Sequence, residues 1–160
     1  MLSFPTLLRR WNQRGDQPYS VIKLFSTLSS RELKNIAPVL HDRTYVEGEV
    51  VFDEGELGQA IYFVLDGTVS LRRTLADGQR VLAHMEKGDS FGALALLVDE
   101  PRVAQAVAQT DCRLAVFFRS DLHRLMDTQA PAAFKISLEM ARHLAQILRR
   151  VALNPGSVEI

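Results

Sequence analysis

Cysteine is nearly absent from this chain. Cys112 stands alone, which excludes an internal disulfide and a cysteine-rich zinc site and fits the reducing conditions of a cytoplasm. An excess of one charge is lacking too. Nineteen Lys and Arg balance nineteen Asp and Glu, so the overall charge gives no electrostatic ground for nucleic acid, an anionic membrane or an acidic substrate. No stretch approaches the roughly 18 apolar residues of a membrane span. Arg9 and Arg10 interrupt Met1 to Trp11 before it can form the apolar part of a signal peptide. The histidines His41, His84, His123 and His143 are scattered, without the clustered spacing that metal sites need. Cys112 falls within an expected strand, with no base beside it to activate a thiolate. The composition therefore leads us to expect a soluble cytoplasmic protein with no membrane span, no metal, no cofactor and no enzymatic nucleophile.

What is present is enough apolar material for one core. The chain has 160 residues, of which 47% are hydrophobic, so a single domain is expected. Gly48, Gly55, Gly58, Gly67, Gly78 and Gly88 punctuate the middle at intervals of mostly about ten residues, the rhythm of an all-β barrel or sandwich. Strands are expected at 50–52, 61–65, 68–71, 81–83, 103–108 and 114–118. Asp66-Gly67 and Asp77-Gly78 read as hairpin turns, because each pair can take the positive φ that primed turns need.

Helices flank this block. Ser29 with Glu32 forms a capping-box pattern before a short helix from about Arg31 to Leu40. Ser120 or Asp121 can cap another that runs through Met126. The last is expected from about Pro131 to Leu153, stopped by Asn154-Pro155-Gly156. It carries two apolar stripes. Phe134, Leu138, Ala141, Ala145, Leu148 and Ala152 form one with coiled-coil spacing, and Ile136, Met140, Leu144, Ile147 and Val151 form its neighbour. One must cover the strands, and the other is either further core or a dimer surface. Before residue 18, Leu2, Phe4, Leu7, Leu8 and Trp11 alternate with Arg9, Arg10 and Arg14, a short basic amphipathic pattern that can pack on the barrel, on a partner or on a membrane surface.

Phe91-Gly92-Ala93-Leu94-Ala95-Leu96-Leu97, followed by Pro101-Arg102-Val103-Ala104, reads as a phosphate cradle. Gly92 permits a tight turn into a short helix whose first N–H groups can face an anion, and Arg102 supplies a fork of donors. The alternative for Arg102 is an ion pair with Asp99 or Glu100.

The cradle resembles the phosphate-binding cassette of the cyclic nucleotide-binding domain family, whose Phe-Gly-Glu-Leu-Ala-Leu and Pro-Arg-x-Ala stand at this spacing. Leu24 to Ser29, Tyr45 to Gly55 and Ile61 to Val69 resemble the family's opening segment, its first hairpin and its next, so the likeness runs from about Leu24 to Ala152. It implies a mainly β fold with flanking helices: a β-roll of jelly-roll type, preceded by helices and closed by a long C-terminal helix. The implied organisation is an N-terminal extension at 1–23, the domain at 24–153 and a tail at 154–160. The implied ligand is cyclic AMP or cyclic GMP, held by Phe91, Gly92, Ala93, Leu94, Ala95, Arg102 and Val103, with Ile147 and Leu148 on the base side.

The cassette departs from the family at the position that binds ribose. Ala93 replaces a glutamate that accepts from the 2′-hydroxyl, and losing that charge-assisted bond is worth roughly 1.5 to 3 kcal/mol, or about tenfold to a hundredfold in affinity. Val103, Ile147 and Leu148 stand where the catabolite activator branch uses hydroxyl residues. The resemblance thus implies a non-enzymatic regulatory or adaptor module with weakened or altered nucleotide affinity. The alternatives are a working cyclic nucleotide receptor that signals to a partner protein and a ligand-free scaffold. In the regulator branch the long helix is a dimer seam, so a homodimer is expected. Only seven residues follow Leu153, too few for a helix-turn-helix, so direct DNA binding is not expected.

Overall fold

The structure is a computed structural model that describes residues 18–153. The basic amphipathic pattern at 2–14 and the stop signal after Leu153 lie outside the described residues. Among the described residues eight strands form two four-stranded antiparallel sheets, one ordered β1-β8-β3-β6 and the other β2-β7-β4-β5. Their spans are His41–Tyr45 (β1), Val50–Phe52 (β2), Ala60–Asp66 (β3), Val69–Leu75 (β4), Gly78–Met85 (β5), Ser90–Phe91 (β6), Gln105–Ala108 (β7) and Cys112–Phe118 (β8).

Successive strands mostly change sheet, which corrects the hairpin reading of Asp66-Gly67, whereas the hairpin expected near Asp77-Gly78 does form between β4 and β5. Only β4 and β5 are both adjacent in sequence and paired, with Leu75 opposite Gly78. That turn is centred on Ala76-Asp77, neither at positive φ, so it is not a primed turn on Asp77-Gly78. Asp66-Gly67 turns a corner between sheets, as does the connection from β1 to β2. Gly67 is required at φ +84° because a Cβ there would meet the backbone and thiol of Cys112 within 2.9 Å. Two strands were not anticipated. Tyr45 closes β1, a largely polar edge strand paired only with β8, and β6 is two residues long. The strand expected from Val103 starts at Gln105, because Arg102 turns inward and the chain bends after it.

Strand alternation divides the core in two. Ile61, Phe63 and Leu65 of β3, with Ala115 and Phe117 of β8, pack against Leu24, Phe25, Leu33, Ile36, Leu122, Ile136 and Met140 on the helix side. Val64, Leu114 and Cys112 point the other way and meet Phe52, Val69, Phe91, Ala106 and Ala108 between the sheets. β3 and β8 are therefore apolar on both faces. The Cys112 side chain is fully buried with two acceptors in reach of its single S–H, the carbonyls of Thr110 (3.0 Å) and Thr68 (3.2 Å), and burial pushes its pKa up.

Helix α1 spans Ser30–Ile36 and begins with the expected capping box, Ser29 and Glu32 satisfying each other's backbone N–H. Glu32 also accepts from Lys135 at 2.8 Å, which ties α1 to the last helix. Helix α2, Arg119–Asp127, is capped by Phe118 without a side-chain bond, so Ser120 and Asp121 lie in its first turn rather than at its cap. Helix α3 runs from Pro131 to Leu153 as expected. Its Ile136–Met140 stripe covers the roll, whereas Phe134 and Leu148 of the other stripe are 71% and 69% exposed. Among the described residues no helix is long and apolar enough to cross a membrane.

Candidate functional site

Gly92 follows β6 at φ +76° and opens a 3₁₀ helix, Ala93–Leu96. The left-handed conformation suits glycine, and a Cβ there would also collide with Arg102 Nη1. Phe91, one residue earlier, is buried between the sheets and stacks on Tyr62 with centroids 5.3 Å apart and planes 13° apart. Phe52 completes an aromatic cluster with both. Ala95 is buried, Leu94 points to solvent, and Ala93 is half-buried against the helix-side core.

Arg102 reaches this turn from the far side. It is only 9% exposed. Its Nη2 donates to Ala60 O (2.8 Å) and its Nη1 to Gly92 O (3.1 Å), while its guanidinium carbon lies 4.1 Å from the Phe52 ring centroid. Burial lowers its pKa from the ordinary arginine value. The ion pair with Asp99 or Glu100 does not form. Asp99 pairs with Arg119, and Arg102 makes carbonyl and ring contacts in its place.

Gly58 was not anticipated and is explained by this packing. A Cβ on it would lie 2.5 Å from Arg102 Nε, 2.6 Å from Cζ and 2.8 Å from Ala95 Cβ. A glycine spaced among other turn glycines carries no sign of that contact. Phe52, Tyr62 and the Ala60 carbonyl were likewise unmarked, since they come to Arg102 from distant strands.

The structure brings Phe91 to Ala95 together with Arg102. Val103 follows Arg102 in the chain and is about half exposed. Ile147 and Leu148 lie in the C-terminal half of α3, beyond the Ile136–Met140 stretch that is buried against the roll. A cleft of about 270 Å³ beside α3, lined by Lys23, Met85, Asp89, Glu139, Arg142 and His143 among others, includes none of the cassette residues. Among the described residues no three His, Cys, Asp or Glu side chains are grouped to hold a metal ion. The arrangement holds a buried cation beside a glycine turn and the start of a short helix, with both Nη atoms of that cation donating to backbone carbonyls.

Comparison with known proteins agrees with this fold. A family model described as the cyclic nucleotide-binding domain matches residues 42–129. The cyclic AMP receptor protein of Thermus thermophilus is 36% identical over 77% of this chain and 57% of its own length. A cAMP-dependent protein kinase regulatory subunit of Mycosarcoma maydis is 35% identical over 75% of this chain and 24% of its own. The chain thus spans between a quarter and just over half of these relatives. The crystal structure of the Thermus thermophilus catabolite activator protein superposes with a TM-score of 0.75 at 35% identity, covering 82% of this chain and 60% of the other.

Proposed function

The chain belongs to the cyclic nucleotide-binding domain family, and from that premise we propose that it is a non-enzymatic regulatory or adaptor module whose cyclic nucleotide affinity is weakened or altered. The observation that carries this reading is Ala93. It occupies the first position of the cassette helix and offers no side-chain acceptor to a ribose hydroxyl. Val103 and Leu148, both exposed aliphatic groups, offer none either.

A second reading, a working receptor for cyclic AMP or cyclic GMP, has its own support. Gly92 holds the turn, and Arg102 is fixed behind it as a buried cation. The names of the relatives favour cyclic AMP as the ligand to try first. The third reading, a ligand-free scaffold, draws on the fact that Arg102 already satisfies backbone carbonyls without any anion.

The module acts in this reading as a cytoplasmic homodimer joined through α3, and it signals by contact with a further protein. Exposed Phe134, Leu138 and Leu148 on one stripe of α3 support the dimer, because an apolar stripe of that length is unusual on a monomer. A thermal-shift series with cyclic AMP and cyclic GMP separates the readings. A ligand at a hundred times its Kd stabilises the fold by about 2.7 kcal/mol. The proposal expects a shift only at high ligand concentration, the receptor reading one at micromolar levels, and the scaffold reading none.

A further inference from the structure

A second arginine, Arg119, grips the other end of the cassette. It is the first residue of α2, and its side chain turns back beneath the loop. Nε donates to Ala95 O at 2.7 Å, Nη2 donates to Val98 O at 2.9 Å and to Gly58 O at 3.2 Å, and Nη1 pairs with Asp99. Its backbone N–H donates to Gln59 O at 2.8 Å. Ala95 and Val98 lie at the C-terminal end of the 3₁₀ helix, where carbonyls run out of partners in the helix and the local dipole favours a cation. A planar guanidinium with five donors can serve several such acceptors at once, which an ammonium on a flexible stem cannot do in a fixed geometry.

The two arginines divide the work. Arg102 fastens Gly92 to Ala60, and Arg119 fastens Ala95, Val98 and Asp99 to Gly58. The loop from Gly92 to Asp99 is thereby pinned at both ends to the segment that leads into β3. Only the Arg119 end is continuous with a helix, and that helix packs on α3.

We propose that Arg119 is the positioning residue of the cassette. It fixes where the Ala93–Leu96 turn sits, through its bonds to Ala95, Val98 and Asp99. The inference rests on reading the cassette as the ligand loop.

Hydrogen exchange followed by NMR on the full chain tests it, with Arg119→Lys and Arg119→Ala as variants. The amides to follow are Ala95, which donates to Gly92 O, and Leu97 and Val98, which donate to Leu94 O. Arg113→Lys is the control, since Arg113 also pairs with an aspartate, Asp42, but at the opposite end of β8. Arg119→Lys keeps the charge and so the best chance of a folded protein. In it the three cassette amides are expected to exchange at least tenfold faster, with β3 and β8 amides within twofold of wild type, and the control is expected to leave the cassette unchanged. Unchanged cassette exchange, or acceleration spread evenly through β3 and β8, overturns the proposal. Cyclic AMP titrated into the same samples is expected to bind Arg119→Lys at least fivefold more weakly than wild type. Unchanged affinity in a variant whose cassette has loosened overturns the positioning role. If wild type binds neither cyclic AMP nor cyclic GMP while the cassette amides still respond, the functional reading falls and the assignment of Arg119 stands.

Discussion

The guanidinium of Arg102 lies over the ring of Phe52, 4.1 Å from its centroid, so the one cation expected to meet an anion is also packed into the aromatic floor of the roll. That double position changes what its removal should do. An arginine near solvent could be lost cheaply, but this one satisfies the Ala60 and Gly92 carbonyls. Arg102→Ala is expected to cost about 2–4 kcal/mol, from two lost charge-assisted bonds and the ring contact. Denaturant unfolding measures it. A loss below about 1 kcal/mol would show that the contacts with Ala60, Gly92 and Phe52 contribute little to the fold.

Gly58→Ala tests the same packing from the other side. The added methyl group would lie 2.5 Å from Arg102 Nε, and Arg102 is held by its carbonyl bonds and cannot simply swing aside. The variant is expected to lose about 1–3 kcal/mol by overpacking. Gly48→Ala is a poor comparison for space alone, because Gly48 has positive φ but open surroundings, so its loss would report backbone strain instead.

The contrast between these residues shows how far the sequence could be read. The cassette turn, the capping box at Ser29 and the span of α3 follow from local patterns, since each depends on residues within a few positions of one another. Arg102 was legible as a cation but not in its contacts. The nearest carboxylates in the chain, Asp99 and Glu100, suggested an ion pair, whereas its acceptor Ala60 O is 42 residues upstream. Asp66-Gly67 failed as a hairpin for a related reason. Positive φ serves a hairpin and a corner between sheets equally well, and pairing partners decide which one forms. Arg119 has no motif at all, because its acceptors are mostly backbone carbonyls, and any sequence supplies those.

The two stripes of α3 are expected to respond differently to charge. Ile136 is fully buried on the roll, so Ile136→Lys should destabilise the fold strongly. Leu138 is 38% exposed, so Leu138→Lys should leave the melting temperature near that of wild type and turn a dimer into a monomer. Light scattering checks the second outcome. A wild-type protein that stays at 18.0 kDa at high micromolar concentration would contradict the dimer.

Glu32 is expected to make the fold acid-sensitive. Bonds from Lys135 and from Ser29 hold its carboxyl at about 2, below the ordinary 4.5. A depressed folded-state pKa gives stability that is present above about pH 4.5 and lost as the pH falls towards 2. Melting temperature followed over that window should fall more steeply for wild type than for Glu32→Gln, which has no carboxylate to protonate. Parallel curves would show that the tie between α1 and α3 does not depend on this charge.

The central claim is that Ala93 weakens the nucleotide site proposed around Gly92 and Arg102, and calorimetric titration of cyclic AMP into wild type and Ala93→Glu tests it most directly. Wild type is expected to bind weakly, with Ala93→Glu gaining about tenfold to a hundredfold for cyclic AMP and nothing for its 2′-deoxy analogue. A submicromolar Kd for wild type, or an equal gain for both ligands, would contradict it.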